Sequence, residues 1–440
     1  MSKEDGKMAN LADERFKALP ERLTISFWIW GFMCGKPGNV YHDLDSRMLE
    51  LKERGFNCIR MDSGAGFCHD LSGRRMGVVE LLDPFPGYSQ LIRQMSVTTG
   101  GGRFDVMEAI LALFEAARRH GIYVILSSWY YLHTYWFASA AHDEQWKRLS
   151  YEERYMAFAK LLGYIIDELA ARGLDSQLAF SEIFNEVDGL PPMGYGCKDR
   201  ALQAQQRDYH EKALAFLQEK YPGHLFAFDT CTPYVPAELF PRNMQVWNAH
   251  RYYIWSRSYS LFEQDLLSGR QTDPENSESL AKIRRFLKTP MISLNDIAAS
   301  RADRAPTSLD WTRRVWLYSN LDEAALPELE AMLSEQLAAD VAVYKDRVDD
   351  WAQCFIEQRR TVVGDVPLVM GEAASYCAAN SMRWEEESDA YWEIIEYAIR
   401  TMKKLGFWGC TMRTTSAPED PSWTEYPERL RHLNELFLAP

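Results

Sequence analysis

The chain has 440 residues, of which 47% are hydrophobic, and carries a net charge of −14 at pH 7. That length is too great for a small domain but suits an elaborated α/β barrel, which often fills roughly 200 to more than 400 residues as one unit. The acidic balance argues against a nucleic-acid partner, and no run of about 18 apolar residues marks a membrane span.

Residues 1–20 are polar and lack the basic, apolar and small-residue order of a secretory signal. They are expected to form an extension on a cytoplasmic protein. Thr24 to Phe32 reads as the first strand, and a helix follows over Leu44 to Arg54, stopped by Gly55. Asn57 to Asp62 is the second strand. A long Gly- and Pro-containing loop leads to a helix opening at Asp105, where Glu108 completes the pattern of a capping box. Its apolar face is Ile110, Leu113, Phe114 and Ala117.

Strand three is Ile122 to Ser127. Ser150 and Glu153 open the next helix with a second capping box, and Tyr155, Phe158, Leu162, Ile165 and Leu169 form its buried face. Strand four is the Ser181–Glu186 segment, a helix covers about Lys198 to Lys220, and strands five and six are His224 to Asp229 and Gln245 to His250. Strand seven ends at Glu372. A helix from Asp389 to Lys404 then precedes strand eight, Gly406 to Met412. Strands alternating with helices predict an α/β fold, a (β/α)8 TIM barrel. A long helical insertion lies between strands 6 and 7, at about residues 255–360. It comprises an irregular part, Ser268 to Asp310, and a helical part, Asp322 to Arg360. Residues 21–440 are read as one domain, with the insertion serving either packing and subunit contact or as a lid.

The eight cysteines are scattered without a C-x-x-C pair, and the nine histidines include no H-E-x-x-H. Free thiols are therefore expected, with no metal site and no cofactor. Chemistry points instead to carboxylates. Glu186 ends strand four and Glu372 ends strand seven, so both are expected at the barrel mouth, where barrel enzymes work. Strand alternation predicts Glu182, Phe184 and Glu186 on one face. A strand-end acid that merely caps a loop is the plainer reading of Glu186 alone. The pairing with Glu372 and the adjacent Asn185 favours a pair of catalytic acids, as glycosidic bond cleavage requires.

Four short motifs occur in order: Asn57-Cys58-Ile59-Arg60, Glu182-Ile183-Phe184-Asn185-Glu186, His250-Arg251-Tyr252 and Met370-Gly371-Glu372. Together they resemble the clan A glycoside hydrolases, in particular the cellulase-like family 5. The resemblance implies a retaining β-glycoside hydrolase acting on an oligosaccharide or glycoside by double displacement. Glu186 would be its acid/base and Glu372 its nucleophile. It implies that Arg60 and Tyr252 hold the Glu372 charge, that Asn185 binds the sugar 2-hydroxyl, and that His250 orients the site. A barrel-mouth ion pair for Arg60, and ordinary core polarity for His250 and Tyr252, are the alternatives. The chain departs from the family pattern in three places. Val187 follows the acid/base where proline is usual. Ser127-Ser128-Trp129 stands where strand three often ends in histidine, with His133 as a substitute. Strand eight ends at Met412 or Arg413 where a tryptophan usually lies under the sugar. The sugar floor is then expected from Trp30, Trp129, Trp408 or the insertion, with Arg413 selecting a charged sugar. Transglycosylation by the same residues, or a barrel that binds sugar without turnover, are the alternatives in function; a homo-oligomer is compatible with the sequence.

Overall fold

The computed structural model describes residues 13–129, 134–188, 200–254, 278–304, 309–375, 377 and 379–440. Eight parallel strands close into a barrel: β1 (Leu23–Ile29), β2 (Cys58–Asp62), β5 (Tyr123–Ser127), β6 (Leu178–Glu182), β7 (Phe226–Thr230), β8 (Val246–Arg251), β9 (Leu368–Ala373) and β10 (Gly409–Cys410). β3 (Val78–Leu81) and β4 (Gly102–Asp105) pair antiparallel in the long loop after β2. The sequence pattern does not announce this hairpin, because only Leu81 of β3 is buried and no alternation results.

The barrel interior is layered. At the N-terminal end Leu23, Ile25, Cys58, Ile125, Phe180, Ala227, Val246 and Val369 fill it with apolar side chains. Two residues further along five strands the interior becomes polar: Arg60, Ser127, Glu182, Asp229 and Asn248 are all buried. The period of two places each of these above its apolar predecessor.

The helices form largely where periodicity puts them. Val106–His120 buries Ile110, Leu113, Phe114 and Ala117, and ends at Gly121, whose φ of 68° suits a residue without a Cβ. Asp105 caps this helix by accepting from the Glu108 backbone N–H, but no capping box forms there. The Glu108 carboxylate instead binds Arg75 and Arg172. The expected box at Ser150 and Glu153 does form and starts helix Tyr151–Ala171. Asp389–Lys404 is a helix as expected.

Two strand boundaries differ. β6 stops at Glu182, so residues 183–186 leave the ladder and alternation fails beyond that point. Phe184 turns outward against Tyr155, Phe158 and His210, whereas Glu182 stays inside. Strand eight is cut to two residues, and the stretch from Thr411 to Ala417 is buried and outside the ladder.

The described part of the insertion is more helical than its polar composition implies, with helices at Leu294–Ala299 and Leu309–Ser319 ahead of Leu326–Ala339 and Val341–Gln358. It docks on the loops that follow β2 and β5. Arg301 donates to the Pro84 carbonyl, Arg304 Nε donates to the Asp83 carbonyl at 2.8 Å, and Trp311 meets Trp136 edge-on at 4.9 Å. Cys197 lies outside the described residues, and the other cysteines are free thiols. Among the described residues no helix is long and apolar enough to cross a membrane.

Candidate active site

The polar layer at the C-terminal ends of the strands converges on Arg60. Its Nη2 lies 2.9 Å from Glu182, 2.9 Å from Asp229 and 2.6 Å from Asn185 Oδ1, while Nη1 donates to Glu372 Oε1 at 3.0 Å. The guanidinium also lies 4.5 Å from the centre of the Trp129 ring. Burial alone would lower its pKa, but Glu182, Asp229 and Glu372 raise it above the ordinary value. A buried cation of this kind is tolerable only with such partners.

Glu372 reaches the interior through an irregularity. β8 and β9 run in register to Ala249 and Met370, after which His250 pairs with Glu372, so Gly371 is skipped. A bulge re-aims the following side chain, here toward His250 and Arg60. Gly371 has no room for a side chain, because an added Cβ would fall well under 3.0 Å from the Asn248 carboxamide. Gly371→Ala is therefore expected to cost about 1–3 kcal/mol, read as a lowered thermal midpoint, with activity falling as the bulge shifts.

Glu186 follows the last ladder residue of β6 by four positions and has φ of 51°, a left-handed conformation unusual for a side chain of this size. Asp229 Oδ1 accepts its backbone N–H at 2.7 Å. Its carboxylate meets His250 Nδ1 at 2.9 Å, and His250 Nδ1 lies 3.5 Å from Glu372 Oε1. One ligand atom from each of Glu186, His250 and Glu372 lies within 4.8 Å of the others. The Tyr252 hydroxyl donates to Glu372 Oε2. Burial and the charge of Glu372 push the Glu186 pKa up to about 7, against the hydrogen bond shared with His250. The Glu186 side chain is 17% exposed and that of Glu372 7%, so the pair is accessible but largely desolvated.

The spacing of Glu186, His250 and Glu372 would admit a small cation. However, Arg60 and Tyr252 already donate to the two oxygens of Glu372. A guanidinium at that distance disfavours a second cation, so the donor set matches hydrogen-bonding chemistry better than metal ligation.

The structure thus brings together Arg60, Asn185, Glu186, His250, Tyr252 and Glu372, with Trp129 against Arg60. Trp30 is buried, donates through Nε1 to the Gln94 carbonyl and packs on Trp136 and Phe137. It serves the loop wall rather than an open floor. Trp408 is at the wrong end of the barrel. It precedes β10, packs on Phe16 and Phe180, and donates to the Pro20 carbonyl. Arg413 is fully buried, pairs with Glu385 and Glu386, and lies over Tyr391 and Trp392, so it does not select a sugar. His133 lies outside the described residues. Asp229 and Asn248 join the network without a role expected from sequence, and so do Glu182 and Ser127, which the sequence offers only as motif and strand-end residues. The available signal was a polar residue two positions after an apolar one near each strand end.

No family model and no curated protein sequence matches the chain. Solved structures do. A protein from Parabacteroides distasonis described as a candidate glycoside hydrolase is 16% identical, with 95% of this chain and 93% of that chain covered and a TM-score of 0.60. The two share the barrel fold. Weaker likenesses include a glycoside hydrolase family 5 mannosidase from Rhizomucor miehei, 10% identical, covering 95% and 94% of the two chains, with a TM-score of 0.41. An endo-1,4-β-mannanase from Thermotoga petrophila is 12% identical, covering 89% and 87%, also with a TM-score of 0.41.

Proposed function

We propose that this protein is a retaining β-glycoside hydrolase, with Glu186 as acid/base and Glu372 as nucleophile. The observation that carries the reading is the approach of the two carboxylates to within 4.8 Å, oxygen to oxygen, at the mouth of a closed barrel. Retaining enzymes hold their acids about 5–5.5 Å apart, whereas inverting ones leave about 6.5–9.5 Å for a water.

The two carboxylates sit in unlike surroundings, which suits unlike roles. Glu372 accepts from Arg60 on one oxygen and from Tyr252 on the other, which fixes the orientation of its carboxyl group. Its oxygen attacks the anomeric carbon as the bond to the leaving oxygen breaks, and Glu186 gives that oxygen its proton. Water then attacks the same carbon, Glu186 takes a proton from it, and the ester to Glu372 breaks to release the sugar. Asn185 stands beside Arg60 where it can bind a sugar hydroxyl. The substrate class is an oligosaccharide or glycoside, and the docked insertion favours short substrates taken end-on.

A panel of aryl β-glycosides, with the product anomer read by NMR, tests the reading. Retention of configuration is expected; inversion would exclude Glu372 as nucleophile. The acid must be protonated to act, so kcat/KM is expected to fall as pH rises through about 7. Glu186→Gln should lose that limb and about 10²–10⁴-fold in rate on poor leaving groups, with much smaller losses on nitrophenolates, which depart without a proton.

A further inference from the structure

The mechanism above uses Glu186 and Glu372, and Asp229, near the end of β7, holds the groups around Glu186. It is fully buried, and each of its oxygens is committed. Oδ1 accepts the backbone N–H of Glu186 at 2.7 Å, the residue held at φ of 51°. Oδ2 accepts from Arg60 Nη2 at 2.9 Å and Asn248 Nδ2 at 2.9 Å, and lies 3.1 Å from His250 Nε2. We propose that Asp229 is the positioning residue of this site: it pins His250 with Nε2 protonated, so that Nδ1 and Glu186 hold the catalytic proton between them.

His250 Nε2 stands 3.1 Å from Asp229 Oδ2, at ion-pair distance though off the line of an aligned hydrogen bond, and a nitrogen lone pair in that place would face a carboxylate. An ionised carboxylate only accepts, and Arg60 and Asn248 keep Asp229 ionised by donating to it; its pKa is lowered despite burial, through His250 and Arg60. The imidazole nitrogen that faces it must then carry hydrogen. That leaves Nδ1, 2.9 Å from Glu186 Oε1, as the nitrogen that meets the acid/base. A single proton on that line can sit on Glu186, ready for the leaving group, or on Nδ1, and the two groups titrate as a pair. The groups facing His250 are Asp229 on β7, Glu186 after β6, Glu372 on β9 and Tyr252 beyond its own strand, with Arg60 on β2 reaching Asp229 and Glu372. Burial alone would lower the imidazole pKa, but Asp229 and Glu372 raise it well above its usual value. The chain Asp229–His250–Glu186 thus ties backbone placement and proton supply to one side chain.

The inference deepens the glycosidase reading and rests on it for its kinetic arm, whereas its spectroscopic arm needs no substrate. Asp229→Asn keeps the shape and can keep the acceptor for the Glu186 N–H. Its amide NH2 then faces Nε2, which favours acceptance by that nitrogen and moves the ring hydrogen to Nδ1; it also meets the Arg60 and Asn248 donors, so the thermal midpoint falls as well. An Nδ1–H donates to Glu186 and favours the carboxylate, so the acid form is lost. A carboxylate that fixes a histidine tautomer has this kind of leverage in other hydrolytic sites. The ring nitrogens of His250 are read by 15N NMR, assigned by comparison with His250→Gln. Nε2 should be protonated throughout a pH titration of the wild type, and in Asp229→Asn the hydrogen should move to Nδ1. Alongside, kcat/KM should fall by about 10²-fold, with the basic limb of the pH profile moved to lower pH and KM little changed. A merely structural Asp229 would lower the thermal midpoint and leave tautomer and limb in place, and that result would overturn the proposal. If the variant does not fold, the wild-type spectrum decides alone: an unprotonated Nε2 contradicts the assignment. If the tautomer moves but no glycoside is ever turned over, the positioning role stands and the glycosidase reading fails.

Discussion

Glu372→Gln is expected to abolish turnover of every β-glycoside that the wild type accepts, by on the order of 10⁵-fold or more in kcat, the scale seen when a covalent nucleophile is removed. The amide has the shape of the acid but cannot form the glycosyl ester. It also presents an NH2 to a site built only of donors, since Arg60 and Tyr252 both point hydrogens at this side chain. Substrate affinity should survive, because Asn185 and the wall residues are unchanged; calorimetry with unhydrolysed glycoside reads it. Glu372→Ala in the presence of azide should form the glycosyl azide of opposite configuration, since the small anion enters from the face the carboxylate vacated. A glutamine variant that keeps more than about one hundredth of the activity would contradict the nucleophile assignment.

Arg60→Met carries the largest expected effect on stability. The side chains of Arg60, Glu182 and Asp229 are all fully buried, and removal of the cation leaves two carboxylates facing each other in the barrel. Breaking a buried ion pair from one side costs about 3–5 kcal/mol, and here the two fully buried pairs are broken together with the Arg60–Glu372 pair. Urea unfolding of wild type and variant measures the loss. Arg60→Met combined with Glu182→Gln should recover part of it by removing one stranded charge. A single variant within about 1 kcal/mol of wild type would mean that the network contributes no more than an exposed pair.

The barrel was legible because its signals are repetitive. Helix faces such as Ile110, Leu113, Phe114 and Ala117 follow from periodicity, and glycines such as Gly121 end helices where the chain needs positive φ. The convergence of Glu186 and Glu372 was legible from their places at strand ends. What misled was register. Extending β6 to Glu186 put Phe184 on the inner face, but the ladder ends at Glu182, and only hydrogen-bond pairing with β7 reveals that. Trp408 looked like a strand-eight floor because the strand seemed long; with two residues in β10, the ring falls below the barrel. Arg413 is offered by the sequence as a selector of a charged sugar, yet its partners Glu385 and Glu386 come from the short helix Trp384–Glu387 after β9, a pairing that no local pattern encodes. Asp229 closed its expected strand in plain view. Its importance depends on three other strands delivering Arg60, Asn248 and His250 to the same carboxylate, which is a property of closure rather than of any segment.

The central claim is a covalent bond between sugar and Glu372 with Glu186 opposite. An activated 2-deoxy-2-fluoro β-glycoside, which forms the ester quickly and loses it slowly, tests this directly. Peptide mass spectrometry of the inactivated enzyme should find the fluorosugar on the peptide containing Glu372, with fragmentation assigning that residue. A fluorosugar on any other side chain, or a fully active enzyme that never becomes labelled while turning over the matching glycoside, would contradict the account.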